Sequence, residues 1–518
     1  MSSTESDKSS WAQKTWPVRR FELKKVLPLL LLKFLVSLVY ATLTLLKDPI
    51  VVTAEHSGAE VINILKGGFV FPLSILCAIG YSKLSNIFKR STLFYGIIST
   101  FLAIVLLYGF VLYPNMGALA PTESANWLTT HLGAKYTHWI AVYRNWIHTL
   151  FFVTTELWGQ VVIFLLYWGF ANHICQVKEA KRTYTLFISA GDLATILAGP
   201  LTYYYGKKFL GQSYAFTLQS LLGYVFVAGV LIMVVYWWMN RYVLTDKRYY
   251  DPDVTKQTVN QKTKLSLRDS IKHIFSSKYL LAIAVLVIGC ALTINMVEVT
   301  WKAHLKMQFP TTADYQMFMG RVTTIVGVVA LITVFFLGGN FLRRFGWHFS
   351  AQITPWAVGI TGGVFFLLCL FKTHLGPFAH YVGLTPLMMI VLFGAFQNIT
   401  SKVVKYSFFD STKEMAYIPL DPESKVKGKA AIDMVGSRLG KSSSSWLQIG
   451  LIELVGTGAV ISITPYLLPI VLGVALYWSY SVRYLNKELS IREESLLEKE
   501  LKDAKQKQEV QAEPSPAS

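Results

Sequence analysis

Charge is what this sequence has least of. Only 15% of its 518 residues are Asp, Glu, Lys or Arg, against about 25% in soluble domains, and 53% are hydrophobic. A soluble chain of this length needs charged outer faces, so that class is excluded. Cysteine is scarce too. Cys77, Cys175, Cys290 and Cys369 lie far apart, in or beside apolar runs, with neither a disulfide framework nor a metal-ligand spacing. The histidines, His131, His138, His148 and His173 among them, are dispersed, and no H-E-x-x-H, G-x-S-x-G or kinase set is present. No metal site, no cofactor and no catalytic residue is therefore expected. A cleavable leader is not expected either. The start, MSSTESDKSSWAQK, carries Glu5 and Asp7 and lacks a short apolar stretch ending in small residues. It is also short and acidic for a plastid transit peptide, which favours a bacterial protein.

What the sequence does have is apolar runs near 20 residues, each long enough to span a bilayer. We read about twelve spanning helices. Six lie at approximately 26–46, 62–82, 92–113, 146–172, 184–206 and 217–240, and six at 279–301, 318–338, 350–371, 382–402, 428–452 and 459–482. The expected fold is an all-α polytopic membrane protein of two six-helix halves, residues 26–240 and 279–482. A cytoplasmic N-terminus (1–25), a basic cytoplasmic linker (241–278) and a cytoplasmic, partly disordered tail (483–518) complete it. Basic turns at matching places, Tyr81–Arg90 after the second helix and Gly338–Trp347 after the eighth, make the halves parallel repeats. The major facilitator superfamily resembles this pattern.

The net charge of +19 is partly topology. Arg19, Arg20, Lys24, Lys25, Lys83, Lys89, Arg90, Lys178, Lys181, Arg182, Arg343, Arg344 and the Lys402–Lys429 loop all fall on one side, so the positive-inside rule puts both termini in the cytoplasm. The opposite loops, 47–61 and 114–145, are mixed in sign, with Lys207 and Lys208 as exceptions to the rule. Nucleic acid is not an expected partner.

Ionisable residues inside apolar runs are costly, by about 2.5–3.5 kcal/mol each on insertion scales, and they mark cavities or partners. Here they are Lys33, Lys66, Glu156, Asp192, Glu298, Arg321 and Lys441, with Arg438 one turn before Lys441. Lys33 reads as a side chain that snorkels to the interface. A nucleotide accounts for the rest: Lys and Arg meet phosphate, and carboxylates hold those cations while the site is empty. The run Gly436–Ser442 falls one residue short of a phosphate-binding loop, and no strand precedes it.

Lys402–Ser445 is the most specific stretch. Its FDSTKEMAYIPL (409–420) and KVKGKAAID (425–433) resemble the signature of the ATP/ADP translocases, the nucleotide transporters of obligate intracellular bacteria and plastids. So do GAEVINILK (58–66), TTELWGQV (154–161), YWGFAN (167–172) and VEVTWK (297–302). The resemblance implies exchange of external ATP for internal ADP, and phosphate, by alternating access in a bacterial inner membrane, as an energy parasite would need. It also implies that Lys66 and Lys441 meet phosphate while Glu156 and Glu298 gate or couple. Arg144, Asn145 and Arg321 are further substrate-binding candidates, and Asp192 a further coupling candidate.

Two motifs depart from the family. The Arg-Asp-Thr-Lys-Asp run of strict exchangers reads Thr44-Leu45-Leu46-Lys47-Asp48, and the usual GKSGG reads Gly440-Lys441-Ser442-Ser443-Ser444. Proton-coupled import of nucleoside triphosphates is therefore the alternative reading. A nucleotide-using membrane enzyme would need a catalytic set that is absent, and a channel would show fewer buried opposite charges.

Overall fold

The computed structural model describes residue 18 and residues 20–175, 177–246, 248–250, 274–333, 339–420, 432 and 436–512. Most of the N-terminal segment, most of the linker and most of the 425–433 motif lie outside these residues. Eleven helices among the described residues are long and apolar enough to cross a membrane. We number the long helices α1 Leu23–Thr53, α2 Glu60–Ile87, α3 Arg90–Leu112, α4 Trp146–Ile174, α5 Val177–Lys208 and α6 Tyr214–Val243. They continue as α7 Lys278–Gln308, α8 Thr312–Thr333, α9 Gly339–Leu370, α10 Pro386–Ala416, α11 Ser437–Val455 and α12 Thr464–Ala512. The expected eleventh span, 428–452, is α11. It carries Arg438, Lys441 and Glu453 in 19 residues, too many charges to count among the eleven.

Other boundaries differ from the sequence reading for local reasons. α1 does not stop at residue 46; it runs through Lys47, Asp48 and Pro49 to Thr53, because both charges find partners inside the bundle. The 114–145 segment is largely helical, with short helices at Met116–Leu119, Thr122–Leu132 and Thr137–Arg144. The basic loop expected from Lys402 begins later, since α10 stays helical to Ala416. Arg321 sits in the middle of α8 rather than at its start. The turn before Trp347 is made by Gly346 at φ +77°, a conformation that costs glycine nothing.

The chain forms two compact units: residues 1–263 with 302–328 and 452–460, and residues 264–301 with 329–451 and 461–518. In the first, α1 is packed against α4, α5 and α6, so it is largely buried, with Leu27 and Leu31 left exposed near its start. Trp158 and Tyr167 donate to the α1 carbonyls of Val36 (3.2 Å) and Leu29 (3.2 Å). Lys25 pairs with Glu179 at 2.7 Å and Glu22 with Arg182 at 2.6 Å. α5 and α8 cross at glycines: a Cβ on Gly199 would lie 2.6 Å from the Gly320 carbonyl, the small-residue contact that lets membrane helices approach closely.

In the second unit, α9 packs on α10 and α12. Trp301 donates to the Val391 carbonyl at 2.9 Å and Tyr279 to Ala416 at 2.7 Å. A Cβ on Gly440 would lie 2.8 Å from the Ile288 carbonyl. The glycine of the phosphate-loop near miss thus serves the α7–α11 contact.

Candidate functional site

Several helical interiors are interrupted by π-helical turns. Among the described residues, π-helical stretches occur at Leu65–Val70, Tyr108–Leu112, Gly159–Tyr167, Met239–Val243 and Lys405–Phe409, and the first, third and fifth of these lie at or beside charges within the spans. Such bulges tend to mark functional sites. The stretch at Leu65–Val70 holds Lys66, that at Gly159–Tyr167 begins three residues after Glu156, and that at Lys405–Phe409 opens with Lys405.

In the first unit the bulges at Leu65–Val70 and Gly159–Tyr167 adjoin members of a buried ion cluster. Lys47 Nζ bonds Asp48 Oδ1 at 2.6 Å and pairs with Glu156 Oε1 at 3.0 Å. Lys302 Nζ, from the last turns of α7, bonds Asp48 Oδ2 at 2.8 Å. The side chains of Lys47 and Lys302 are each 2% exposed and that of Asp48 6%. Lys47 Nζ also lies 4.0 Å from the centroid of the Phe152 ring. Lys66, half-buried, is close enough to Asp48 to act on its charge. Two lysines thus share two carboxylates, with a third lysine near enough to act on Asp48. Removing one member of such a buried set is far more costly than its net contribution suggests, because a charge is left stranded.

The expected residues are divided between the two units. Lys66 and Glu156 belong to the ion cluster. Glu298 is half-buried on α7, four residues before Lys302. Lys441 is exposed on α11, and Arg438 half-buried. Together with Lys405, Lys413 and Asp410, Lys441 acts electrostatically on the buried Cys290, so this face of the second unit is rich in lysine. On the same helix, Ser444 accepts from Asn295 Nδ2 (3.1 Å) and Gln448 Nε2 (3.2 Å).

Asp192 is exposed and close enough to Lys33 for their charges to interact. Lys33 does not snorkel: it is 8% exposed, packed against Gly191 and facing the rings of Tyr167 and Trp168. Arg321 is exposed, donates to Tyr203 Oη at 2.7 Å and stacks on its ring. Arg144 and Asn145 stand apart from the cluster, at the start of α4. Arg144 Nη2 donates to Asn126 Oδ1 at 2.6 Å, and Asn145 Nδ2 to the Glu55 carbonyl at 2.9 Å. Nearby, outside the spans, burial pushes the His138 imidazole below its ordinary value, against the pull of Glu453. No group of three or more metal-ligating side chains occurs among the described residues.

The sequence reading missed Lys47, Asp48 and Lys302 as members of this ion cluster. The signal was present: Lys47-Asp48 is followed by PIVVT, an apolar continuation of the helix, and Lys302 closes the VEVTWK motif.

A helical bundle with paired charges in its interior is the architecture of a polytopic transporter, and solved structures share that fold. A bacterial homologue of the human lysosomal transporter Spinster matches with a TM-score of 0.52 over 90% of this chain and 99% of its own, at 11% identity. A D-xylose-proton symporter matches with a TM-score of 0.50 over 88% and 97%, at 14% identity. The fold is that of the major-facilitator-like transporters. Sequence comparison places the chain more narrowly. A family model described as TLC ATP/ADP transporter matches residues 1–489, and the chain belongs to that family. Among its relatives, ADP,ATP carrier protein 1 of Chlamydia muridarum is 43% identical over 505 residues, 96% of this chain and 95% of the relative. The chloroplastic ADP,ATP carrier protein 1 of Arabidopsis thaliana is 40% identical over 488 residues, 93% of this chain and 77% of the relative.

Proposed function

We propose that this chain is a secondary active transporter that exchanges external ATP for internal ADP by alternating access, without covalent chemistry. Membership of the family and the names of its relatives support the substrates. The observation that carries the mechanism is the buried Lys47–Asp48–Glu156–Lys302 set beside Lys66. A nucleotide's phosphates are a polyanion that lysines bind as point charges. In this reading Lys66 and Lys441 take phosphate, and Glu156 and Glu298 exchange partners with the lysines as the ligand arrives. The Lys47–Asp48–Lys302 bridge is the lock that parts only when the ligand's charge replaces Asp48. Arg321 supports α8 through Tyr203 rather than touching ligand. The membrane is a bacterial inner membrane with both termini in the cytoplasm, and inorganic phosphate accompanies ADP.

The test is uptake of labelled ATP into ADP-preloaded proteoliposomes, with unlabelled nucleoside triphosphates as competitors. Competition by ATP and ADP above the others, and loss of uptake in Lys66→Gln and Glu156→Gln, is the expected result. Preference for another triphosphate, or uptake that stops with an uncoupler, favours proton-coupled import. The exposed Asp192 beside the buried Lys33 is the observation behind that second reading.

A further inference from the structure

A guanidinium buried without a carboxylate is costly to hold, since its charge has lost water and gained no opposite charge. Arg144 is in that position. It is 6% exposed, its Nη2 donates to the neutral Asn126 amide, and its Nε has no hydrogen-bond partner. Among the described residues, no carboxylate lies within ion-pair distance of it. The same side chain lines a cavity of about 250 Å³ between the end of α1 and the start of α4, reached past the exposed Met116 and Gly117. It also lines a second cavity of about 250 Å³ alongside His56, Asn126 and Thr130. Glu55 is at the rim of the first cavity. Its side chain is 74% exposed and its carboxylate faces His56 Nε2 at 3.5 Å, so it does not neutralise Arg144.

The position along the helices is telling. Thr53, in the cavity wall, is five residues beyond Asp48, about 7.5 Å at 1.5 Å per residue. His148, also in the wall, is eight residues before Glu156, about 12 Å. The cavity therefore stacks on the ion cluster along both helices, one to two turns nearer their shared end.

We propose that this cavity is a second, peripheral anion site, in which Arg144 holds a phosphate group before it reaches the ion cluster. The guanidinium offers a planar fork to phosphate oxygens, and Asn126 fixes its plane. That an anion binds rests on the cavity alone; that the anion is a nucleotide's phosphate rests on the transport reading above.

The experiment uses the full chain in proteoliposomes, with its four cysteines replaced and Met116→Cys placed at the mouth of the cavity. The rate of labelling by a membrane-impermeant thiosulfonate is measured with ATP, with inorganic phosphate, or with chloride of equal ionic strength. ATP at twice its dissociation constant should slow labelling about threefold. Phosphate should do the same at higher concentration if the site reads the phosphate group alone, whereas protection by ATP only would assign the site to the nucleotide. Protection should vanish in Arg144→Gln, survive in Arg144→Lys, and survive in Lys441→Gln even where transport is lost. Should Arg144→Gln fail to fold, Asn126→Ala keeps the charge and frees its plane, and should weaken protection. Unchanged labelling with ATP and phosphate in a protein that still takes up ATP overturns the peripheral site and leaves the transport reading standing, as does equal protection by chloride. Protection by phosphate in a protein that moves no nucleotide does the reverse.

Discussion

The two units carry their positive charge in opposite ways. In the first, Lys47 and Lys302 are buried, and Asp48 and Glu156 are bonded to them. In the second, Lys441 is exposed on a helix whose buried neighbours are hydroxyls and amides, Ser444, Gln448 and Asn295. The first arrangement is satisfied as it stands and resists opening. In the second, Ser444 accepts from both amides while the Lys441 cation stands exposed, open to an incoming anion. A carrier that must not turn over empty needs both: a lock that only a polyanion can open, and a cation that recruits the polyanion.

The comparison breaks most visibly at Asp48. Asp48→Asn strands Lys47 and Lys302 beside one remaining carboxylate, and losing one partner of a buried pair costs about 3–5 kcal/mol. Thermal unfolding of the purified protein should shift accordingly, with exchange abolished. Adding Lys302→Met to that variant removes the stranded charge, so stability should largely return while exchange does not. The same unfolding assay on Lys441→Gln sharpens the contrast. Stability should stay within about 0.5 kcal/mol, as for exposed substitutions. Initial exchange rates at subsaturating ATP should fall about 10- to 100-fold, the loss of one charged hydrogen bond. A smaller effect is expected at Ser444→Ala, which removes the acceptor shared by Asn295 and Gln448. Its cost should be about 1–3 kcal/mol, read from unfolding, with ATP affinity unchanged. Equal stability losses for Asp48→Asn and Lys441→Gln would erase the distinction between the two regions.

Much of the membrane architecture was legible because apolar runs of bilayer length leave little room for another reading. The site was legible in part. Lys66 and Glu156 stand out as charges inside such runs, and both belong to the cluster. Lys47, Asp48 and Lys302 escaped because hydropathy ends a span at the first charged pair, and a pair that finds its partners across the bundle does not end the helix. Lys33 was misread for the related reason that snorkelling is a property of an isolated helix, whereas Gly191 opens room for it inside this one. The helices of 114–145 carried no apolar stripe long enough to separate them from a loop, and the cavity beside Arg144 depends on their folding back. Nor could the sequence tell that Gly440 serves a helix crossing rather than a phosphate.

The central claim is that the closed Lys47–Asp48–Lys302 bridge forbids empty turnover. It is tested most directly by uptake of labelled ATP into empty proteoliposomes, compared with ADP-loaded ones, for the natural chain and for Asp48→Asn/Lys302→Met. The account predicts uptake only into loaded vesicles for the natural chain, indifferent to an uncoupler, and a measurable leak into empty vesicles for the double variant. Uptake by the natural chain into empty vesicles at the loaded rate, collapsing when the proton gradient is dissipated, would contradict it.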